Sequence, residues 1–279
     1  MKKFLILFLA LFMAFTLTAC GTPEAGQPNQ PDQLTGEGSP QESRNESDYE
    51  YVKGKGKMII GYTIYEPMNY TDESGVFTGF DTELATMVCD KLGVEPDFLE
   101  INWDTKEIEL NAKSLDCIWN GLTIDAERQR TMELTKPYVK NAQVILMKAN
   151  APYNGVASLV DKILTAEQGS AGESTIQDDE DLSQASYVPK TMQTECLMEV
   201  KAGTADAAVL DLTLAKTMTG AGTSYADLVI VEHMAEEDYG VAFRKGSDIA
   251  EKVNKIFDEL IADGSLAALA DRYGLELSE

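Results

Sequence analysis

An α/β fold of two lobes is what this 279-residue sequence predicts, on three observations. From Lys57 to Trp119, apolar runs of strand length alternate with helix-spaced segments, a βαβαβ pattern that calls for a parallel sheet with helices on both faces. A second alternation of the same kind runs from Lys162 to Val231, a second lobe. Residues 248–273 hold only helices, whose apolar faces must return to a sheet already built. The chain then passes between lobes twice, near 142 and near 241, a two-strand hinge suited to closure on a ligand.

The N-terminus reads as a processing segment. Lys2 and Lys3 precede an apolar run from Phe4 to Phe15 and then Leu17-Thr18-Ala19-Cys20-Gly21. That run is too short and too sharply ended to span a membrane. The segment resembles a bacterial lipobox, which implies that residues 1–19 are removed and that Cys20 becomes a lipidated first residue. Two or more acyl chains then hold the protein to the outer face of the cell membrane, or its periplasmic side where there are two membranes. From Gly21 to about residue 50 there are four prolines, four glycines and almost no large apolar side chains, too little to offset the entropy of ordering. The expected division is a signal peptide over 1–19, lipidated Cys20 and a flexible tether over 20–52, a first lobe over 53–141 and 242–279, and a second over 142–241.

Element by element, Met58 to Tyr62 is an apolar strand, followed by a loop holding Tyr65, Pro67 and Tyr70 and a turn at Gly75. Phe80, Leu84, Val88 and Leu92 recur at helical spacing until Gly93. Asp97 to Ile101 returns as a strand, Trp103-Asp104 opens a helix through Asn111, and Leu115 to Trp119 is the third strand. Ala142 to Met147 follows, then Lys162 to Ala166, a turn at Gln168–Gly172, a short helix, Tyr187-Val188, and a helix over Thr191 to Lys201. Asp206 to Asp211 is a strand leading into a helix through Met218. Leu228 to Val231 and Tyr239 to Phe243 read as two further strands. Asp248 to Ile261, behind a Ser247 cap, and Ser265 to Tyr273, ended by Gly274, are the closing helices.

Forty-seven acids against 23 bases give a formal charge of −24, and no basic cluster relieves it, which excludes a nucleic-acid partner. Cys89, Cys117 and Cys196 each sit in an apolar periodic segment and read as buried thiols, a Cys89–Cys117 bridge staying open. Metal ligation needs several convergent ligands, and the single histidine, His233, has no clustered partner. No metal and no cofactor is expected.

In open sheets of this kind ligands gather beyond the carboxyl ends of strands. Tyr65 follows the first strand, Trp103 the second, and Asn120-Gly121-Leu122-Thr123-Ile124-Asp125-Ala126-Glu127-Arg128 the third. Gly121 permits close backbone approach, Thr123 can cap a helix or donate its hydroxyl, and the Arg128 guanidinium suits a bidentate pair with a carboxylate. Alone this is an ordinary strand-turn-helix with a surface arginine. The convergence of three strand ends is what marks it.

Four segments carry a family resemblance: Gly79-Phe80-Asp81, Asn120 to Ile124 with Arg128, Gly203-Thr204-Ala205-Asp206-Ala207, and Tyr239 to Ser247. Over about 57–275 the chain resembles the solute-binding proteins, family 3, of ABC-type polar amino acid importers, with a type II periplasmic-binding-protein fold. The resemblance implies that Arg128 pairs the ligand carboxylate, assisted by Thr123 and amides near Ala171. Asp211, with the Gly121 carbonyl, would accept the ammonium, and Tyr65 and Trp103 would sandwich the side chain. Asp211 also stands where it can cap the following helix. Tyr62, Asn120 and Glu167 depart from residues common in the family. Glu167, if it faces the ligand, is a carboxylate with no compensating charge, which favours a cationic or hydrogen-bond-donating side chain and excludes acidic amino acids. The function implied is capture of a free polar or basic L-amino acid by a monomer and delivery to a membrane permease, not catalysis. The alternatives are a cleft enzyme of the same fold, dehydratase-like or murein lyase-like, using Glu66 or Glu167, and a sensor acting through a separate partner.

Overall fold

The alternation read from the sequence is present in the computed structural model, which describes residues 47–279. The expected signal peptide, Cys20 and the expected tether up to residue 46 lie outside the described residues. Helix α1 (Asp48–Lys55) takes in residues that composition assigns to the tether. Its cap is local, Ser47 Oγ accepting from Glu50 N, but its docking is not: the Arg244 guanidinium pairs with Asp48 at 2.9 Å. Only Val52 is buried, too sparse a pattern to read from sequence.

The first half of the fold follows the expected order. It comprises β1 (Lys57–Tyr62), a hairpin of β2 (Tyr70–Thr71) and β3 (Phe77–Thr78), α2 (Phe80–Leu92), β4 (Glu95–Glu100), α3 (Lys106–Asn111), β5 (Cys117–Thr123) and α4 (Ala126–Thr131). Strand β1 pairs in parallel with β4 and β5. The apolar stripe Phe80, Leu84, Val88 and Leu92 is buried as its spacing requires. Strand β5 runs farther than Trp119, buried on both faces as far as Thr123. Helix α4 is therefore capped by Asp125, whose carboxylate accepts from Arg128 N at 2.7 Å, and not by Thr123.

After β6 (Met132–Leu134) and β7 (Val139–Lys148) come β8 (Ile163–Glu167), α5 (Ala171–Asp178), β9 (Ser186–Lys190), α6 (Gln193–Ala202), β10 (Ala207–Asp211) and α7 (Leu212–Met218). Strand β8 pairs in parallel with both β9 and β10. The segments at Leu228 and Tyr239 are one strand, β11 (Leu228–Arg244), of 17 residues. It pairs antiparallel with β7 from Leu228 to Tyr239 and with β5 from Tyr239 to Phe243. The polar run Glu232 to Asp238 hides this continuity, which two register shifts against β7 accommodate.

The strand order β4-β1-β5-β11-β7-β10-β8-β9 joins two parallel halves through the antiparallel pair β11–β7. Helices α8 (Ile249–Ala262) and α9 (Ser265–Tyr273) pack on α2, returning the chain to the first half as expected. Asp248 occupies the N-cap of α8, and the Ser247 hydroxyl accepts weakly from Ile249 N at 3.4 Å. The largest apolar cluster runs through both halves, from Met58, Phe80 and Trp119 to Leu197, Val200 and Leu210, with a smaller one in the first half around Leu115, Ile118 and Leu122 and another in the second around Ile145, Leu164, Ile176 and Val209. Cys89, Cys117 and Cys196 are buried and free. Among the described residues no helix is long and apolar enough to cross a membrane.

Candidate functional site

Three strands end at one narrow cavity. The end of β5 brings Asn120, Gly121 and Thr123, β8 brings Glu167, and β10 brings Asp211, while Trp103, Arg128, Ser170, Ala171 and Gln193 complete the wall. Gly121 has φ +56°, and an added Cβ would lie 2.7 Å from the Tyr65 ring. That close approach lets Tyr65 pack beneath the cavity floor. The free space is ≈ 10 Å³ to a water-sized sphere, room for about one water, so the walls must part to admit an organic ligand.

The wall from the first half is cationic. Arg128, 6% exposed, donates from Nη1 to the Thr123 carbonyl at 2.9 Å and pairs with Asp125 at 3.2 Å. Its Nη2 reaches across to the Gly169 carbonyl at 3.4 Å. Lys106, over the Trp103 ring, donates to the same carbonyl at 2.9 Å. Burial, with the Arg128 guanidinium adding to it, pulls the Lys106 ammonium down to about 8. Facing them, α5 starts at Ala171 behind a Ser170 cap that accepts from Glu173 N at 3.2 Å, so the first-turn amides point toward a site where anionic groups are favoured.

The wall from the second half is acidic. Asp211 accepts from Asn141 Nδ2 at 2.7 Å, Gln143 Nε2 at 2.8 Å and the Tyr239 hydroxyl at 2.9 Å, and from Gln193 Nε2. It sits at the N-cap of α7 but makes no side-chain cap bond, its oxygens being used by this network. Burial raises its carboxyl against the pull of these donors. Glu167 is 3% exposed and its Oε1 has no hydrogen-bond partner. Burial, with the Asp211 charge adding to it, pushes the Glu167 carboxyl up to about 8, against the pull of Lys106 and Thr63.

Of the sequence-derived candidates, Trp103, Asn120, Gly121, Thr123, Arg128, Glu167, Ala171 and Asp211 line the cavity together. Tyr62 does not: its ring packs on Phe77, with centroids 4.7 Å apart, and on Phe98. Tyr65 is buried below the cavity, its hydroxyl 2.5 Å from that of Tyr239. The Asn120 side chain is used internally, accepting from Thr63 N and Oγ1 and donating to the Thr63 carbonyl and to Asn69 Oδ1. Sequence reasoning passed over Lys106, Asn141, Gln143, Gln193, Glu237 and Tyr239. Of these only Tyr239 stood in a segment singled out in the sequence. Among the described residues no cluster of histidine, cysteine and acidic side chains is arranged to hold a metal.

A guanidinium and a helix start facing a buried carboxylate, carried on two halves joined by a crossing strand pair, define a two-lobed ligand-binding protein. Residues 58–276 match the bacterial extracellular solute-binding proteins, family 3, and the chain belongs to that family. It is an exported protein. The arginine-binding extracellular protein ArtP of Bacillus subtilis (strain 168) is 26% identical over 279 residues, 98% of each chain. The L-cystine-binding protein TcyJ of Escherichia coli (strain K12) is 26% identical over 230 residues, 80% of this chain and 84% of TcyJ. The crystal structure of the ancestral amino acid-binding protein AncCDT-1, a precursor of cyclohexadienyl dehydratase, superimposes with a TM-score of 0.74 at 27% identity, covering 81% of this chain and 99% of AncCDT-1. These relatives are named as binding proteins, and the third also as the forerunner of an enzyme.

Proposed function

We propose that the chain is the substrate-binding lipoprotein of an ABC-type importer, anchored at Cys20, that captures a free polar or basic L-amino acid and delivers it to a membrane permease. It acts as a monomer, with lobes at 53–141 plus 242–279 and at 142–241 closing about β7 and β11. The observation that carries this reading is that Arg128 and Asp211 reach one cavity from opposite halves, as a zwitterion requires. Arg128 and the amides at Ala171 take the α-carboxylate, Asp211 takes the ammonium, and the side chain extends past Trp103 toward Glu167. The unpartnered Glu167 oxygen favours a cationic or donating side chain and disfavours glutamate and aspartate.

The test is a thermal-shift screen of the purified protein against the twenty L-amino acids and cystine. Ligand at a hundred times its Kd adds about 2.7 kcal/mol, which raises the melting point measurably. Shifts with polar or basic amino acids and none with glutamate or aspartate support the reading; no shift with any of them sinks it. The enzyme reading draws on AncCDT-1 and on a Glu167 carboxyl held at about 8, a value suited to a general acid. NMR of the bound amino acid after prolonged incubation separates the two, capture leaving it unchanged.

A further inference from the structure

Asp211 and Glu237 share the same two side-chain amides. Asn141 Nδ2 lies 2.7 Å from Asp211 Oδ1 and 2.6 Å from Glu237 Oε1, and Gln143 Nε2 lies 2.8 and 2.9 Å from the same two oxygens. Accepting from the same two nitrogens brings the two carboxyl oxygens side by side. The other donors to Asp211, Gln193 and Tyr239, are neutral. Two carboxyls so placed, Asp211 buried and Glu237 half-buried, with no cation between them, resist ionising together, and the pair titrates as a unit.

The surroundings do not relieve the repulsion. Glu167 on β8 adds a further carboxyl, and Tyr65 and Tyr239 face the pair as phenols. Across the cavity Arg128 is held by Asp125, and Lys106 donates to carbonyls. Behind the pair, Glu237 lines a wide groove with Lys140, Lys216, His233, Glu236, Asp238 and Glu276. Lys140 is paired with Glu276 at 2.8 Å.

We infer that Glu237, which lies outside the ligand cavity, holds a proton jointly with Asp211 in the ligand-free protein, and that a ligand ammonium arriving at Asp211 expels that proton through the groove behind Glu237. The inference rests on the reading of Asp211 as the ammonium acceptor. The O–H bond of the pair breaks, N–H···O bonds from the ammonium take its place, and the proton passes to water or buffer. Glu237 is thus a positioning residue that sets the charge of Asp211. Burial and the Asp211 charge push Glu237 up to about 8, in the direction the geometry requires. Because the free pair is protonated below that value and the complex is not, affinity rises with pH, approaching tenfold per unit between about pH 6 and 8, and levels off above.

Isothermal titration with L-arginine, and with each other amino acid that shifts the melting point, in buffers of different ionisation enthalpy counts the protons released. At about pH 7 the wild type releases at least about one proton per ligand, and Glu237→Gln, whose carboxamide mimics the protonated carboxyl, releases about one fewer with a correspondingly flatter pH profile. A merely structural role for Glu237 weakens binding but leaves the proton count and slope unchanged, which overturns the proposal. Glu237→Ala repeats the count should the glutamine variant fold poorly, and zero release by the wild type overturns the proposal without any variant. Binding without proton release thus defeats this inference alone, whereas failure of every amino acid to bind defeats the capture reading and this inference with it.

Discussion

The hydroxyls of Tyr65 and Tyr239 meet at 2.5 Å, and Tyr239 donates onward to Asp211 at 2.9 Å. A loop residue after the first strand is thereby wired to the carboxylate at the end of β10. Tyr239→Phe removes one of the four donors to Asp211 and leaves the buried Tyr65 hydroxyl without its partner. An orphaned buried hydroxyl costs about 1–3 kcal/mol, so urea unfolding of the ligand-free variant is expected to show a loss of that order. An unchanged unfolding free energy would detach this chain of hydroxyls from stability.

Arg128→Ala removes the guanidinium from a largely desolvated site. Stripping one partner from such a charge pair costs about 3–5 kcal/mol, so amino-acid affinity should fall at least about a hundredfold by titration calorimetry. A loss under about threefold takes Arg128 out of the ligand's reach.

Lys106 ties the two halves through the Gly169 carbonyl. Lys106→Met keeps the length of the side chain and deletes the donor. A hydrogen bond from a charged group contributes about 1.5–3 kcal/mol, so ligand release measured by stopped flow should quicken about tenfold or more while the association rate changes little. An unchanged release rate would mean the bond does not hold the closed form.

Asp81, fully buried, accepts from Gly121 N at 2.7 Å and from the Tyr138 hydroxyl at 2.8 Å, yet burial outweighs these bonds and raises its carboxyl to about 7. The folded state therefore holds this proton more tightly than the unfolded chain does. The contribution to stability is complete below about pH 4 and is lost as pH rises through about 7. Asp81→Asn removes that dependence, so the variant should gain stability relative to the wild type between about pH 5 and pH 8 in urea titrations. Parallel pH curves for the two proteins would refute it.

Gly121→Ala places a Cβ 2.7 Å from the Tyr65 ring and 3.0 Å from Tyr239 at a left-handed φ of +56°. Backbone strain of this kind alone costs about 1–3 kcal/mol, and the ring contacts add to it. A melting point within about 1 °C of the wild type would show that the rings yield freely.

Much of this was legible in the chain. The α2 stripe, the helix-ending Gly93 and the alternation of strands follow from periodicity and local chemistry; Arg128 stands out as a candidate because it follows the end of the third strand and Asp211 because it ends β10, whereas Glu167 stands out only through the family resemblance. Thr123 misled because Asp125, two residues on, is the better cap and takes the helix start. β11 reads as two strands because its middle is acidic and half-exposed, and only pairing with β7 keeps it extended. Asn141, Gln143 and Gln193 carry no local mark at all: their roles arise from neighbours tens of residues away. Tyr62 is an aromatic at a strand end like Tyr65, but Phe77 and Phe98 lie close enough to claim its ring.

The docking of α1 has a mechanical consequence. Ser47 donates to Asp248, Tyr49 N donates to the same carboxylate, and Arg244 grips Asp48, so the described chain begins on α8 and the end of β11, on the first half. A tensile load arriving from the N-terminal side is borne by that half and diverted from the β7–β11 pair. The half carrying Glu167 and Asp211 makes none of these contacts and stands outside that load path.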